Sequence, residues 1–548
     1  MKYSFFFLTI VASAISLARS SENKVSEVNR VIVDFTKKSE PLTEIWNSTG
    51  FSPADIVSTH EMKAVIGDVG SLGTRAIKYI RPHYLLNLVV ARGMGSNHPQ
   101  YDWSRLDQTL DVMTGSGLKL VFELMGFPAD GSDIAASAYD KNFQEQLVHR
   151  KSYFDDLRKP EQIRNWKRFV KDLATHLELR YGRNEIREWL FETTNEPNLT
   201  HFWGYSREVF FNYYDACSEG LKGADTALKF GGPGSAAPEL NGFFTGLMDH
   251  CERGLNFFTG ERGVRIDFIS VHVKDQPRRM IAREMKCIGY LRSNYPSLKM
   301  KPFINDEADP IVGWAKPYWW ECGPWYACFV AQNLDLHQRL MGPEKGVNYR
   351  LFSNDHMFLG SWDQRTTHAL FRAQPGEAGF TLIRKPVLSV MELIAGLGTR
   401  LFPAKVPANL EDHFGVIPTK VDGKISILVY NQTPIKIDRN PKPEPDKELA
   451  VMKSEEVKCM LTMHGLPSDR TQLKIQRIDE QHGNPYRLWV GMGRPKILTE
   501  KQIDLLKRAE PPETILSREI SCSDHTQTLE MNFPSPSVSL ITIEKIRK

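Results

Sequence analysis

The sequence predicts an α/β protein, a (β/α)8 TIM barrel followed by a C-terminal all-β sandwich. Three observations predict it. Between about residues 75 and 400, short apolar runs alternate with longer stretches of helical period, the pattern of parallel βαβ units. Two of those runs end in acidic motifs about a hundred residues apart, Phe191-Glu192-Thr193-Thr194-Asn195-Glu196-Pro197 and Phe303-Ile304-Asn305-Asp306-Glu307-Ala308-Asp309-Pro310. After residue 400 the helical period stops, and short β-branched runs separated by prolines take over.

The strand-like runs cover 77–86, 118–125, 189–193, 228–231, 267–273, 301–305 and 348–352. Helical stretches lie at 103–113, 160–181, 206–221, 279–291 and 326–340. The clearest is 160–181, where Ile163, Trp166, Phe169, Val170, Leu173 and Leu177 form one stripe. Pro160 opens it and Gly182 follows its end, as helix boundaries favour. About eight such units fit a closed barrel with long loops. The rival is an open doubly wound sheet. It loses ground because no Gly-rich phosphate loop follows the first strand. Gly232-Pro233-Gly234 is a tight turn, and Arg92-Gly93-Met94-Gly95 is too short a match.

In the C-terminal part the runs 424–430, 457–463 and 538–543 read as strands, with a Pro-rich charged linker or long hairpin at 440–446. The run 28–35 is a further strand ahead of the barrel, expected to tie the chain end into the sandwich. The expected organisation is therefore a signal peptide at 1–20, an N-terminal strand segment at 21–44, the barrel at 45–400 and the sandwich at 401–548. The signal is read from basic Lys2, the apolar stretch 5–17 and the small residues before a cut near Ser20. That stretch is short for a membrane span, so the mature chain is expected to be free of the membrane in the secretory, lysosomal or extracellular space.

The chain has 548 residues, 41% hydrophobic and 25% charged, with a formal net charge of +4. That charge is too weak to argue for nucleic acid, though it permits an anionic ligand at a local basic site. Glycosylation acceptors are expected at Asn47, Asn198 and Asn431, each two residues before Ser or Thr. Seven cysteines leave at least one unpaired; Cys322 with Cys328, and Cys459 with Cys522, are candidate bridges. No cysteine–histidine spacing matches a zinc site, and no metal is expected.

The chemistry sits at the strand ends. A barrel aims residues from the C-terminal ends of its strands into one mouth. Glu196 ends the strand counted as fourth and Glu307 the one counted as seventh, so two carboxylates can flank one glycosidic bond. A separation of about 5–5.5 Å gives retention, and about 6.5–9.5 Å gives inversion. A lone strand-end Glu is more often a salt-bridge partner than a catalyst; two on one barrel reverse that balance. Asn195 is placed to donate to a sugar hydroxyl. His83 and His272 follow apolar runs and are as readily satisfied core residues. Lys274 and Arg365 are the natural anchors for a ligand carboxylate. Asn354 and Asp355 suit sugar hydroxyls or a turn. Trp314, Tyr318, Trp319, Trp320, Trp325 and Tyr326 crowd the loop after Glu307, as a sugar platform or as lid packing.

The two motifs resemble those of the family-39 glycoside hydrolases, in particular the members that act on uronic acids. The likeness runs on through Phe211-Asn212-Tyr213-Tyr214-Asp215-Ala216-Cys217-Ser218-Glu219-Gly220 and Asn256-Phe257-Phe258-Thr259-Gly260. It continues in Ser353-Asn354-Asp355 and Arg384-Lys385-Pro386-Val387-Leu388, covering most of 45–400. The resemblance implies a lysosomal exo-enzyme that removes terminal α-L-iduronic acid from dermatan sulfate and heparan sulfate, with retention and without a cofactor. It implies Glu196 as acid/base and Glu307 as nucleophile. His83, Asn195, His272, Lys274, Asp355 and Arg365 would contact the sugar. Gly313 and Trp314 would offer backbone donors to its carboxylate. The chain departs from the family pattern at Thr194, where Trp is usual, and at Val273, where Arg is usual. It also stops near where a fibronectin-III-like domain would begin. Two other readings stay open: a β-xylosidase of the same family, and a non-catalytic secreted carbohydrate-binding protein.

Overall fold

The computed structural model describes residues 29–51, 54–130, 152–312, 317–342, 345–354, 357–373, 379–432, 456–467, 470–522 and 524–546. The expected signal at 1–20 and the Pro-rich segment 440–446 lie outside these residues.

Eight parallel strands close a barrel. In chain order they are β1 (Ser48–Phe51), β2 (Tyr79–Pro82), β3 (Lys119–Glu123), β4 (Leu190–Glu192), β5 (Lys229–Ala236), β6 (Phe268–His272), β7 (Phe303–Asn305) and β8 (Tyr349–Asn354). Each pairs with the next, and β8 returns to β1 with Ser353 opposite Ser48. Side chains alternate across each strand. Val121, Phe268, Ile304 and Leu351 therefore fill the barrel interior, while Phe303, Asn305 and Tyr349 face the surrounding helices.

The main helices of the outer ring are α1 (His60–Ser71), α2 (Ser104–Gly115), α3 (Pro160–Tyr181), α4 (Arg207–Ala224), α5 (Gly242–Arg253), α6 (Pro277–Asn294), α7 (Pro324–Met341) and α8 (Pro386–Ala395). Local chemistry sets their ends. Thr59, Ser206 and Asn241 each accept a backbone N–H from the first turn of α1, α4 and α5. α3, α6, α7 and α8 open on proline, whose missing N–H costs nothing there. The stripe expected on α3 is buried throughout. Gly220 of α4 lies so close to α3 that a Cβ there would come within 2.7 Å of the Lys167 carbonyl oxygen.

The apolar runs of the sequence correspond to β2 through β8. β1 has no such run: four residues, Ser48–Phe51, include Gly50, and only its place beside β8 and β2 makes it a strand.

Two sheets pack beside the barrel. One holds Ala404–Lys405, Asn29–Asp34, Val457–His464 and Thr526–Phe533 in that order. The other holds Glu40–Pro41, Arg400–Leu401, Phe414–Val421, Lys424–Asn431, Ser537–Lys545, Thr471–Asp479 and Glu513–Ile520. Val31, Val33, Ile427, Leu461, Leu473 and Ile541 are among the side chains buried between them. The N-terminal strand pairs in parallel with Val457–His464 along its whole length. Two short helices, Pro485–Gly491 and Glu500–Arg508, interrupt this part of the chain. Their Tyr486, Trp489 and Leu506 join Trp362, Phe371 and Ile383 of the barrel side in a separate core. The region beyond residue 400 is thus not all-β.

All seven cysteines are free and buried, so neither expected bridge forms. The Cys322 and Cys328 thiols face different partners, the carbonyls of Trp362 and Ser537. The glycosylation acceptors also need correcting. Asn431 is fully buried, and its amide donates to the Phe533 carbonyl. Asn47 is buried at the base of the barrel. The Asn198 amide both donates to and accepts from the Ala236 backbone. A glycan at any of the three requires local opening of this structure. Among the described residues, no helix is long and apolar enough to cross a membrane.

Candidate active site

The centre of the site is Arg81, one residue from the end of β2. Its guanidinium is sealed inside the barrel, and its Nη2 lies 2.6 Å from Glu123 Oε1 at the end of β3. Nε lies 2.7 Å from Glu192 Oε2 at the end of β4 and 3.2 Å from Asp306 Oδ2 just beyond β7. Nη1 donates to Glu307 Oε1 at 3.1 Å, and Nη2 donates to Asn195 Oδ1 at 3.1 Å. One planar fork thus holds the ends of four strands together, a task for which a flexible ammonium is poorly shaped. Gly234, with φ +58°, clears the space: a Cβ there would sit 3.2–3.3 Å from Arg81, Glu192 and His272.

Around this hub the expected pair comes together. His272 Nδ1 lies 2.9 Å from Glu196 Oε1 and 3.3 Å from Glu307 Oε2. Lys274 Nζ lies 2.6 Å from Glu307 Oε2. His83 bonds Glu123 at 2.5 Å and stands 3.9 Å from Glu307. Asn195 keeps its oxygen on Arg81, which fixes the orientation of its amide. Glu196 adopts φ +39°, a left-handed conformation costly for a residue with a side chain, and its N–H donates to the Gly234 carbonyl at 3.1 Å. That conformation turns its carboxylate to the rim, where it keeps 15% exposure against 4% for Glu307.

The two carboxyls differ in environment. Burial alone would raise Glu307, but the positive charges of His272, Lys274, Arg81 and His83 outweigh it and hold the group well below the ordinary carboxylate range. Asp306, its chain neighbour, goes the other way. Burial pushes it far up against the pull of Arg81, and the negative charges of Glu192 and Glu307 add to the rise. The two chain neighbours are therefore pushed in opposite directions, Asp306 toward its neutral form and Glu307 toward its ionised one. Burial lowers His83, but Glu123 more than compensates and raises it.

The facing atoms of Glu196, His272 and Glu307 lie within 4.8 Å of one another, a spacing that a divalent cation can bridge. Lys274 and Arg81 already occupy the Glu307 oxygens, which works against a further cation there.

Some expected contacts are not at the mouth. Arg365 is fully buried and bonds Glu321 Oε1 at 3.2 Å and the Ile311 carbonyl at 2.9 Å. It also pairs with Asp309 at 3.4 Å and lies over the Trp320 ring. Closed to solvent in this conformation, it ties down the chain after Glu307. Tyr318, Trp320, Trp325 and Tyr326 are buried, so the packing reading holds for them; Tyr326 donates to Asp309 at 2.5 Å. Asn354 donates to the Asp309 side chain at 3.2 Å. Gly313, Trp314 and Asp355 lie outside the described residues. Arg81, Glu123, Glu192 and Asp306 were not singled out from sequence as site residues. The available signal was an arginine between apolar neighbours in a strand, a position where a charge needs a buried partner.

An ionised carboxylate flanked by cations, facing a second carboxylate at the rim of a (β/α)8 barrel, defines a glycoside hydrolase. The chain belongs to glycosyl hydrolases family 39, which matches residues 29–527. It is 32% identical to the α-L-iduronidase of Homo sapiens, over 94% of this chain and 78% of that one. Identity to the Mus musculus α-L-iduronidase is 31%, over 98% and 83%. A β-xylosidase of Caldicellulosiruptor saccharolyticus is 25% identical, over 85% and 88%. Among solved structures, a bacterial orthologue of human α-L-iduronidase superposes with a TM-score of 0.82 at 30% identity, covering 94% of this chain and 84% of that one. The chain is an α-L-iduronidase-like glycosidase.

Two predictions follow from the charges. Arg81→Met leaves several buried carboxylates without their cation and should cost about 3–5 kcal/mol, read by denaturant unfolding, with activity lost. A loss under about 1 kcal/mol would refute the hub. The second concerns Glu321, which burial pushes up to about 8 despite Arg365 and Lys385. Its folded value exceeds its unfolded one, so its contribution is full in acid and is lost as pH rises through about 8. Burial pushes Lys385 down to about 8, so its own window lies above that pH. Tm should fall between about pH 5 and 8, and Glu321→Gln should flatten that slope.

Proposed function

We propose that the protein is a retaining exo-glycosidase that releases terminal α-L-iduronic acid from dermatan sulfate and heparan sulfate, with Glu196 as acid/base and Glu307 as nucleophile. The observation that carries the reading is the convergence of Glu196 and Glu307 on one space, with one oxygen of each within 4.8 Å; a retaining enzyme sets its two carboxyl groups about 5–5.5 Å apart. The cations around Glu307 suit a nucleophile that must be ionised. In the first step Glu196 gives its proton to the leaving oxygen while Glu307 bonds to the anomeric carbon. In the second, a water oxygen bonds to the anomeric carbon and breaks its ester to Glu307, while Glu196 takes the water's proton; the sugar leaves and both groups are restored.

Lys274 supports a uronic acid. In the resting site it faces Glu307. Esterification of Glu307 removes that negative charge, and a sugar carboxylate replaces it where a neutral sugar does not. Discrimination between uronide and xyloside then lies in the glycosyl-enzyme, because the resting cation already has a counter-charge. The β-xylosidase reading draws on that same pairing and on the similarity to the xylosidase of Caldicellulosiruptor saccharolyticus. Lysosomal delivery through the secretory route, after removal of a signal at 1–20, belongs to the proposal, as does an acidic working range set by an acid that must stay protonated.

The test is hydrolysis of a fluorogenic α-L-iduronide and of a β-D-xyloside by wild type, Glu307→Ala and Glu196→Gln. Iduronide turnover should peak in mild acid. It should vanish in Glu307→Ala and fall by about 10²–10⁴-fold in Glu196→Gln. Faster xyloside turnover, or a pH optimum above neutrality, would overturn the proposal.

A further inference from the structure

A second polar network lies on the outer side of the barrel wall, behind the site. Glu284 of α6 is completely buried among the helices. Its Oε1 accepts from Asn305 Nδ2 at 2.7 Å and from the Tyr349 hydroxyl at 3.1 Å; its Oε2 faces His337 Nε2 of α7 at 2.9 Å. His337 Nδ1 lies 2.8 Å from the Asn333 carbonyl, which can only accept, so Nδ1 carries a proton. A further proton must sit between Nε2 and Glu284. That proton ties Glu284 Oε2 to α7 and leaves Oε1 as the acceptor for Asn305 and Tyr349.

Asn305 is the link to the chemistry. It closes β7, two residues before Glu307. Its Oδ1 accepts the Val273 N–H at 3.1 Å, and its Nδ2 donates to the Val273 carbonyl at 3.0 Å. Val273 stands between His272 and Lys274, both of which contact Glu307. Because Glu284 only accepts, it forces the Asn305 NH2 to its own side and so fixes which way the amide grips Val273. Val273 itself gives only its backbone to this grip, so the change from the family's usual arginine leaves it intact.

We propose that Glu284 is a positioning residue for the reaction, holding Lys274 and His272 against Glu307 through the Asn305 clamp on Val273. The inference rests on the reading of Glu307 as the reacting carboxylate, whichever sugar is cleaved. In Glu284→Leu both accepting oxygens are lost, and nothing on that side fixes the Asn305 NH2. The clamp loosens, and Lys274 moves away from Glu307.

The test uses whichever fluorogenic glycoside the wild-type chain cleaves. For Glu284→Leu, kcat should fall between about tenfold and about a hundredfold with KM little changed, the cost of a small misplacement near the reacting atoms. The acid limb of the kcat/KM profile should also move to higher pH, because Glu307 loses part of the charge that keeps it ionised. A merely destabilised protein would lower the active fraction without moving that limb. Tyr349→Phe removes one donor to the same oxygen and should shift the limb in the same direction by less. A folded Glu284→Leu with kcat within about twofold of wild type and an unmoved limb overturns the inference. If that variant does not fold, an unmoved limb in Tyr349→Phe overturns it. Activity surviving in Glu307→Ala overturns the reading beneath it, and the inference falls with that reading.

Discussion

A guanidinium buried in the barrel and shared among carboxylates is the constraint on which the site depends. Neither side is affordable alone: an isolated ion in that interior would carry a penalty of several kcal/mol, and so would each carboxylate. Together they form a lattice of short bonds from Arg81 to Glu123, Glu192, Asp306 and Glu307. The strands that supply them are β2, β3, β4 and β7, so barrel closure and site assembly are one event. The lattice also divides the acids by role. Glu307 is held low by the cations around it, while burial, with the negative charges of Glu192 and Glu307, pushes Asp306 up against the pull of Arg81.

Above the hub, a second group of charges works differently. Arg365, Glu321 and Asp309 join the chain after Glu307 to the layer carrying Trp320 and Tyr326. Lys385 donates to the carbonyls of Ser361, Trp362 and Gln364 and anchors the neighbouring turn. These groups are buried too deeply to meet a sugar in this conformation, yet they decide where the loop carrying Glu307 runs. The short helices Pro485–Gly491 and Glu500–Arg508 brace the same region from outside through Leu506 and Trp489. The C-terminal part of the chain is therefore mechanically part of the roof.

Much of this was legible in the sequence, for physical reasons. Buried parallel strands need apolar runs, and seven of the eight were visible; β1 was not, because Ser48–Phe51 owes its state to pairing on both sides. Helix bounds came within a few residues, since Pro160 and Gly182 act locally. The meeting of Glu196 and Glu307 followed from the rule that strand ends share one mouth. What did not follow was anything set by burial at a distance. Arg365 had the chemistry of a carboxylate anchor, but Glu321 and Asp309 claim it. Asn198 and Asn431 had the acceptor pattern, but their amides are spent on backbone. Arg81 looked like an interruption of a strand, because its partners lie 42 (123 − 81) to 226 residues away.

The two departures from the family pattern can be weighed against this architecture. Thr194 and Val273 are both buried, next to residues that touch Glu196 and Glu307 or their hub Arg81. Their neighbours Asn195, His272 and Lys274 are nonetheless held by Arg81, Glu196 and Glu307, and Asn305 grips Val273 by its backbone while its side chain packs in the core. Contacts made through main-chain groups survive a change of side chain, whereas Arg81, Asn305 and Glu284 work through their side-chain termini. The tolerance of the site to substitution should thus follow which atoms make the contact, and not how near the residue lies to Glu307.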